Sequence, residues 1–266
     1  MGKSKVNLYN IDGSTQRDRL TTALRLLGLS EVNRSLDTIS QRSLAEHFTP
    51  FDFLENLLEK EIAWREASRR LRWIQQAHFP GLRSIADFRF EDRPSVDRAL
   101  VNELASCRFI ENCQNIVLFG PTGMGKTHLA ISFGIEAIDN GFEVRFLTLR
   151  ELIDIVNKYI PKEQGEIRLT RMLLAPRLLI LDEMDLYHVE PIVSRFLFRI
   201  LYDRYEKGSV IFTSNHLFSQ WGCLFGDKTS ANKILDRINH HCTIININEG
   251  QSYRIKDKLN GQEKKV

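Results

Sequence analysis

The chain has 266 residues, enough for one large domain or for a domain with a smaller module. Its 37 Lys and Arg against 34 Asp and Glu leave a net charge of only +3, which excludes a polyanion binder that works by overall charge. With 42% hydrophobic and 27% charged residues, and only 15 Gly and 7 Pro, the composition also excludes disordered, collagenous and low-complexity chains.

From Thr15 to His78 the pattern is helical. Leu20, Ala23, Leu24 and Leu27 keep helical spacing, and Leu54, Leu57, Leu58, Ile62 and Trp64–Ile74 form a second run. Arg65, Arg69 and Arg72 stand at i, i+4 and i+7 on that second helix, with Arg70 beside them, a pattern that a solvated helix face also produces. Two prolines and a glycine interrupt helix between Phe79 and Pro94, and Ser95 is expected to cap an amphipathic helix running to about Asn112. The expected organisation is a helical N-terminal domain at 1–80, a connection at 81–94, a second domain at 95–259 and a basic tail at 260–266.

Beyond Asn112, short apolar runs alternate with helical stretches. The runs are Asn115–Phe119, Val144–Leu147, Leu178–Leu181, Val210–Thr213 and Thr243–Ile247. Strands covered on both faces read as continuous runs of this kind, which predicts an α/β fold with a mostly parallel sheet. The four cysteines, at 107, 113, 223 and 242, form no CxxC pair, so a reducing compartment fits better than a zinc site or a disulfide framework. The polar start lacks the apolar core of a secretory signal, and no apolar run reaches the length of about 18 residues that a membrane helix needs. The expectation is a cytoplasmic protein with no membrane partner.

The first strand leads into Gly120-Pro121-Thr122-Gly123-Met124-Gly125-Lys126-Thr127, which fits G-x-x-x-x-G-K-[ST] between a strand and a helix. Its glycines let backbone N–H groups approach phosphate oxygens, and Lys126 supplies charge to the β- and γ-phosphates. Thr127 offers a hard oxygen to Mg²⁺, and the residues from Gly120 to His128 are the expected ATP-binding set. Leu178–Leu181 ends in Asp182 and Glu183. Asp182 is expected to hold the magnesium-bound water, and Glu183 to act as base or water-positioner in hydrolysis. Asn215, after the strand that ends at Thr213, either bonds the attacking water or the γ-phosphate, or caps the next helical turn. Arg237, on a helix before the last strand, either completes a neighbouring subunit's site or pairs with a nearby acid. Delivery in trans would imply head-to-tail assembly into rings or filaments.

These residues resemble the IstB-like transposition helper ATPases, close to DnaC-type helicase loaders within the AAA+ superfamily. The resemblance is carried from about Leu20 to Lys258 by Leu24–Leu29, Glu61–Arg72 with His78-Phe79-Pro80, Gly120–Ala130 and Arg204–Ser209. It continues in Thr213-Ser214-Asn215, Trp221-Gly222, Phe225-Gly226-Asp227, Ile234–His241 and Ser252–Asp257. It implies a lidless AAA+ P-loop core with five parallel strands behind a small all-α domain. It also implies a sensor role for Asn215 and an arginine-finger role for Arg237, and gives Arg254 no sensor role. The chain departs from the group in two places. Met124 replaces a threonine at a permissive loop position, and Met184-Asp185-Leu186-Tyr187 stands where a Gly-Tyr commonly follows the two acids. Neither departure removes a phosphate, metal or water ligand.

The resemblance further implies a DNA-stimulated ATPase of an insertion sequence, using ATP and Mg²⁺, that assembles on duplex DNA as a homo-oligomer and recruits a cognate transposase. In a bacterial cell such a protein would associate with the nucleoid when bound to DNA. Arg65, Arg69, Arg70 and Arg72 then become candidates for largely sequence-independent phosphate contact, with Arg195 and Arg199 as a second track. A replicative helicase loader is the alternative that shares every nucleotide-site residue. A P-loop kinase and a non-hydrolysing DNA-coating scaffold are further alternatives. His188 and His240-His241-Cys242 lack a partner at metal-ligand spacing.

Overall fold

The computed structural model describes residues 15–185, 189–216, 220, 221, 224 and 228–249. His188, Gly222, Cys223, Phe225-Gly226-Asp227, Ser252–Asp257 with Arg254, and the expected tail at 260–266 lie outside the described residues. The chain forms two compact units, Met1–Leu71 and Arg72–Val266. Among the described residues no helix is long and apolar enough to cross a membrane.

The first unit contains α1 (Gln16–Leu26), α2 (Ser30–Glu46) and most of α3 (Pro50–Ala77), which carries the chain into the second unit. Thr15 opens α1 with a reciprocal cap: its hydroxyl accepts from the Asp18 amide at 3.2 Å, and its own amide donates to the Asp18 carboxylate at 2.9 Å. Leu24, Val32, Leu36, Ile39 and Leu57 form the core of this unit. The apolar spacing read from the sequence overstates it, because Leu20, Leu27, Leu54, Leu58 and Ile62 are exposed. Three helices bury only a narrow seam each, so periodic apolar residues beyond that seam remain on the surface.

Helix α2 begins after Leu29, whose side chain can cap nothing. The cap comes from α3 instead: the buried Glu61 carboxylate accepts the Glu31 amide at 2.8 Å and the Val32 amide at 3.1 Å. Arg65 donates to the same carboxylate at 2.8 Å and to the Gly28 carbonyl at 2.8 Å, which ties the α1–α2 turn to α3. Burial pushes the Glu61 carboxyl upward, but the bonds from Arg65, Val32 and Glu31 outweigh it and hold the group below the ordinary carboxylate range.

Among the described residues the second unit is built on five parallel strands in the order β2-β3-β4-β1-β5. They are β1 (Asn115–Phe119), β2 (Val144–Thr148), β3 (Leu178–Asp182), β4 (Ser209–Ser214) and β5 (Cys242–Asn246), within a residue or so of the apolar runs. The runs are continuous because both faces are covered. Ile116 and Leu118 pack with Phe133 and Ile180 on one side of the sheet, while Val117, Leu179 and Leu181 pack with Phe212 and Trp221 on the other. The connecting helices are α6 (Lys126–Asp139), α7 (Leu149–Tyr159), α8 (Gly165–Leu174), α9 (Pro191–Arg204) and α10 (Lys228–His240).

The helix expected from Ser95 to Asn112 is two helices, α4 (Arg98–Ala105) and α5 (Arg108–Glu111). Asp97 rather than Ser95 caps the first, its carboxylate accepting the Ala99 amide at 2.8 Å. Cys107, at φ 61°, breaks the pair so that Phe109 and Ile110 turn into the core. The Arg204–Ser209 motif also has a structural task. The buried Arg204 guanidinium donates to the carbonyls of Leu173, Pro176, Arg177 and Ser209, joining the end of α8 to the start of β4. A Cβ on Gly208 would come within 2.8 Å of that guanidinium.

Candidate nucleotide site

Between β1 and α6 the chain makes the turn that the sequence pattern demands. Gly120 has φ 148°, and a Cβ there would lie 2.2 Å from the Ile247 carbonyl oxygen, so the loop can pass the end of β5 only as glycine. Gly125, at φ 100°, is the residue from which α6 begins. Lys126 is buried, and its ammonium donates to the carbonyls of Gly120 at 2.7 Å and Pro121 at 2.9 Å and to Asn215 Oδ1 at 2.7 Å. Thr122, Gly123, Gly125, Lys126, Thr127 and His128 line a cavity of about 770 Å³, and Pro121 is exposed beside it. Met124 differs from the expectation of a permissive position. Its side chain is 3% exposed in the core under the loop, because the backbone turn points it inward.

The tips of β3 and β4 are stitched together residue by residue beyond their last ladder pair. Thr213 donates to Asp182 Oδ1 at 2.5 Å and accepts the Glu183 amide at 2.9 Å. Ser214 donates to the Met184 carbonyl at 3.0 Å and accepts the indole N–H of the buried Trp221 at 3.3 Å. Asn215 donates through its backbone and its Nδ2 to the two oxygens of Asp185, at 3.0 and 2.8 Å. Thr127 donates to Asp182 at 2.9 Å, so the loop, the first acid and the β4 tip form one connected set. Burial pushes the Asp182 carboxyl above the ordinary range, against the opposing bonds from Thr213 and Thr127 and the nearby Lys126 charge. Glu183 is exposed at the cavity with φ 55°, a left-handed conformation that costs a non-glycine residue about 1 kcal/mol or more and that clusters at functional sites.

The segment read as a connection forms one wall of this cavity. Pro80, Gly81, Arg83, Asp87 and Arg89 line it. His128 Nε2 lies 2.8 Å from the Ser84 carbonyl oxygen, and the buried Arg93 donates from Nε to the Met124 carbonyl at 2.9 Å. Sequence reasoning missed Arg93 and Asp185 as parts of the site. Arg93 carries no local signal, whereas Asp185 is visible as a departure in the acid-bearing strand end.

The profile of the IstB-like ATP binding protein family matches residues 22–261, which covers both units. The chain belongs to this family. It is 38% identical over 248 residues to the protein named for ATP binding in insertion sequence IS5376 of Geobacillus stearothermophilus, covering 93% of this chain and 98% of that one. It is 36% identical over 239 residues to its counterpart in insertion sequence IS21 of Pseudomonas aeruginosa, covering 90% and 89%. Among solved structures, DnaI aligns with a TM-score of 0.53 at 21% identity over 62% of this chain and 90% of that chain. AMPPCP-bound DnaA from Aquifex aeolicus aligns with a TM-score of 0.53 at 20% identity over 69% and 56%. These two likenesses concern the fold, an AAA+ P-loop core. This IstB-like protein is accordingly an ATP-binding protein of the insertion-sequence type.

The other candidate residues lie elsewhere on the IstB-like chain. Arg237 shares a small cleft with Cys113 and Asn115 at the start of β1, the opposite end of the sheet from the cavity. Its guanidinium stands 3.9 Å from the Tyr202 ring centroid and 5.0 Å from that of Tyr205. Arg65 is engaged with Glu61 and Gly28, while Arg69, Arg70 and Arg72 are exposed on α3. On α9, Arg199 bonds Glu166 and Thr170 of α8, and Arg195 is exposed with its Nε 3.3 Å from the Pro191 carbonyl oxygen.

Proposed function

We propose that the protein hydrolyses ATP with Mg²⁺ while assembled head-to-tail on duplex DNA, and that it serves the transposase of an insertion sequence in the bacterial cytoplasm. The observation that carries the reading is the convergence of Lys126, Thr127, Asp182, Glu183 and Asn215 on one cavity. An anionic polyphosphate suits the loop: the α6 N-terminus is positive, and Lys126 is already turned toward oxygen acceptors. The Thr127 hydroxyl and the Asp182 carboxylate are hard oxygen donors 2.9 Å apart, which fits a magnesium ion that keeps most of its water. Bound there, magnesium would neutralise charge on the phosphates.

Glu183 is exposed to the cavity and can accept a proton from an attacking water, while Lys126, and Asn215 once its amide turns to present Nδ2, can donate hydrogen bonds to the terminal phosphate. Arg237 lies too far round the sheet to reach its own cavity, which supports delivery by a neighbouring subunit. Arg69, Arg70 and Arg72 on α3 and Arg195 on α9 are the best-presented candidates for phosphate contact with DNA. The names of the relatives favour transposition over helicase loading.

The test is Mg²⁺-dependent phosphate release with and without duplex DNA. Glu183→Gln should retain nucleotide binding and lose about 10²- to 10⁴-fold in turnover. Phosphate release no faster than background from the wild type would leave only a non-hydrolysing scaffold, and turnover by Glu183→Gln at the wild-type rate would remove Glu183 from the chemistry. In capture experiments the cognate transposase should be retained, and exclusive retention of a replicative helicase would favour a loader.

A further inference from the structure

Asp185 accepts two hydrogen bonds from Asn215, one from its backbone amide and one from Nδ2. Those bonds determine which way the Asn215 amide faces. Its Nδ2 donates to a carboxylate and its Oδ1 accepts from an ammonium, an arrangement that the reverse orientation would turn into two repulsive contacts. An ammonium has three N–H donors, and three acceptors of the chain itself stand within bonding distance of Lys126. The two groups best placed to grip a terminal phosphate are therefore engaged with each other and, through Asn215, with Asp185.

We propose that Asp185 is a nucleotide-selecting latch, which holds Asn215 with its oxygen toward Lys126 and so penalises a nucleoside triphosphate more than a diphosphate. This rests on the nucleotide reading of the cavity. A diphosphate can take the loop N–H groups and leave the Asn215 amide as it stands. A γ-phosphate meets Asn215 Oδ1, an acceptor facing an anion, and is accommodated only when the amide turns over to present Nδ2. Asp185 opposes that turn, because the reversed amide sets Oδ1 against its carboxylate. An asparagine at 185 can donate or accept, so it satisfies either orientation without changing shape. Asp185 acts through Asn215 and is a positioning residue.

The experiment is equilibrium binding of Mg²⁺ with ADP, and of Mg²⁺ with a non-hydrolysable ATP analogue, to full-length wild type, Asp185→Asn, Asp185→Gly and Asn215→Ala. Asp185→Asn should tighten the analogue about three- to ten-fold, the worth of a hydrogen bond or so, and leave ADP within about two-fold. Asp185→Gly gives the same reading if the isosteric variant does not fold. In an Asn215→Ala background, Asp185→Asn should change neither ligand, because the residue that transmits the effect is gone. Equal shifts for ADP and the analogue, weaker analogue binding, or an undiminished effect without Asn215 would each overturn the latch. Wild type that binds neither nucleotide would instead overturn the site reading beneath it.

Discussion

Arg93 and Met124 are joined by a buried hydrogen bond of 2.9 Å, from the guanidinium Nε to the backbone carbonyl at the crest of the phosphate-binding loop. The arginine stands just before Pro94, and its side chain is fully buried. The segment before β1 is thus fastened to the loop after it.

Replacing Arg93 with Met would fill similar volume and leave the Met124 carbonyl without this donor. Loss of a buried donor of this kind costs about 1–3 kcal/mol. The expected result is a lower Tm together with weaker nucleotide binding, read by thermal unfolding and by titration with ADP. Unchanged ADP affinity would show that the loop does not depend on this fastening.

Asp182 sets a second expectation. Burial holds its carboxyl above the ordinary range, so the folded, nucleotide-free protein carries its charge at a cost. The sign follows: stability falls as pH rises from the unfolded-state value through the raised folded one, and the loss persists at neutral pH. Asp182→Asn should therefore raise the Tm of the nucleotide-free protein at pH 7 by a few degrees and narrow that advantage in acid. Added Mg²⁺ and ATP should stabilise the wild type more than the variant.

Glu61 works in the opposite direction. Its carboxyl is held low by Arg65 and the two α2 amides, so the stability it contributes is present above the ordinary glutamate range, about pH 4.3, and is lost as pH falls through its lower folded value. Glu61→Gln should speed hydrogen exchange at the Glu31 and Val32 amides at pH 7. Exchange at those two amides at the wild-type rate would show that α2 starts without this cap.

Arg237→Ala should lower turnover by about 10³-fold or more if the guanidinium completes a neighbour's site. Lys126→Ala should be inactive for its own reason. Mixed in equal amounts, the two should recover activity at about one junction in four, where an intact cavity meets an intact arginine. A mixture no more active than its parts would place Arg237 in a structural role on Tyr202 and Tyr205.

Much of the ATP-binding unit was legible because its physics is local. A strand covered on both faces must be apolar at every position, as Leu178–Leu181 is, and a loop passing 2.2 Å from where a Cβ would stand must be glycine, as at 120. What stayed hidden depends on partners distant in sequence. Glu61 caps a helix 30 residues away, and Arg93 reaches a carbonyl 31 residues on. In α3 the helical period was plain but not its buried side, since Leu57 is covered while Leu54, Leu58 and Ile62 are exposed. Asp185 was visible as an odd residue, yet only the fold brings it against Asn215.

The placement of Arg237 has one more consequence. Because all five of these strands run the same way, the cavity lies past their C-terminal ends and the arginine by the start of β1, so the second unit has two chemically unlike ends. Any row of copies joined cavity to arginine carries a direction. One terminus exposes an open cavity, and the other a spare guanidinium on its tyrosines. Growth and loss at those termini need not proceed at equal rates, and a nucleotide held at the open terminus would lack the cation supplied to every other.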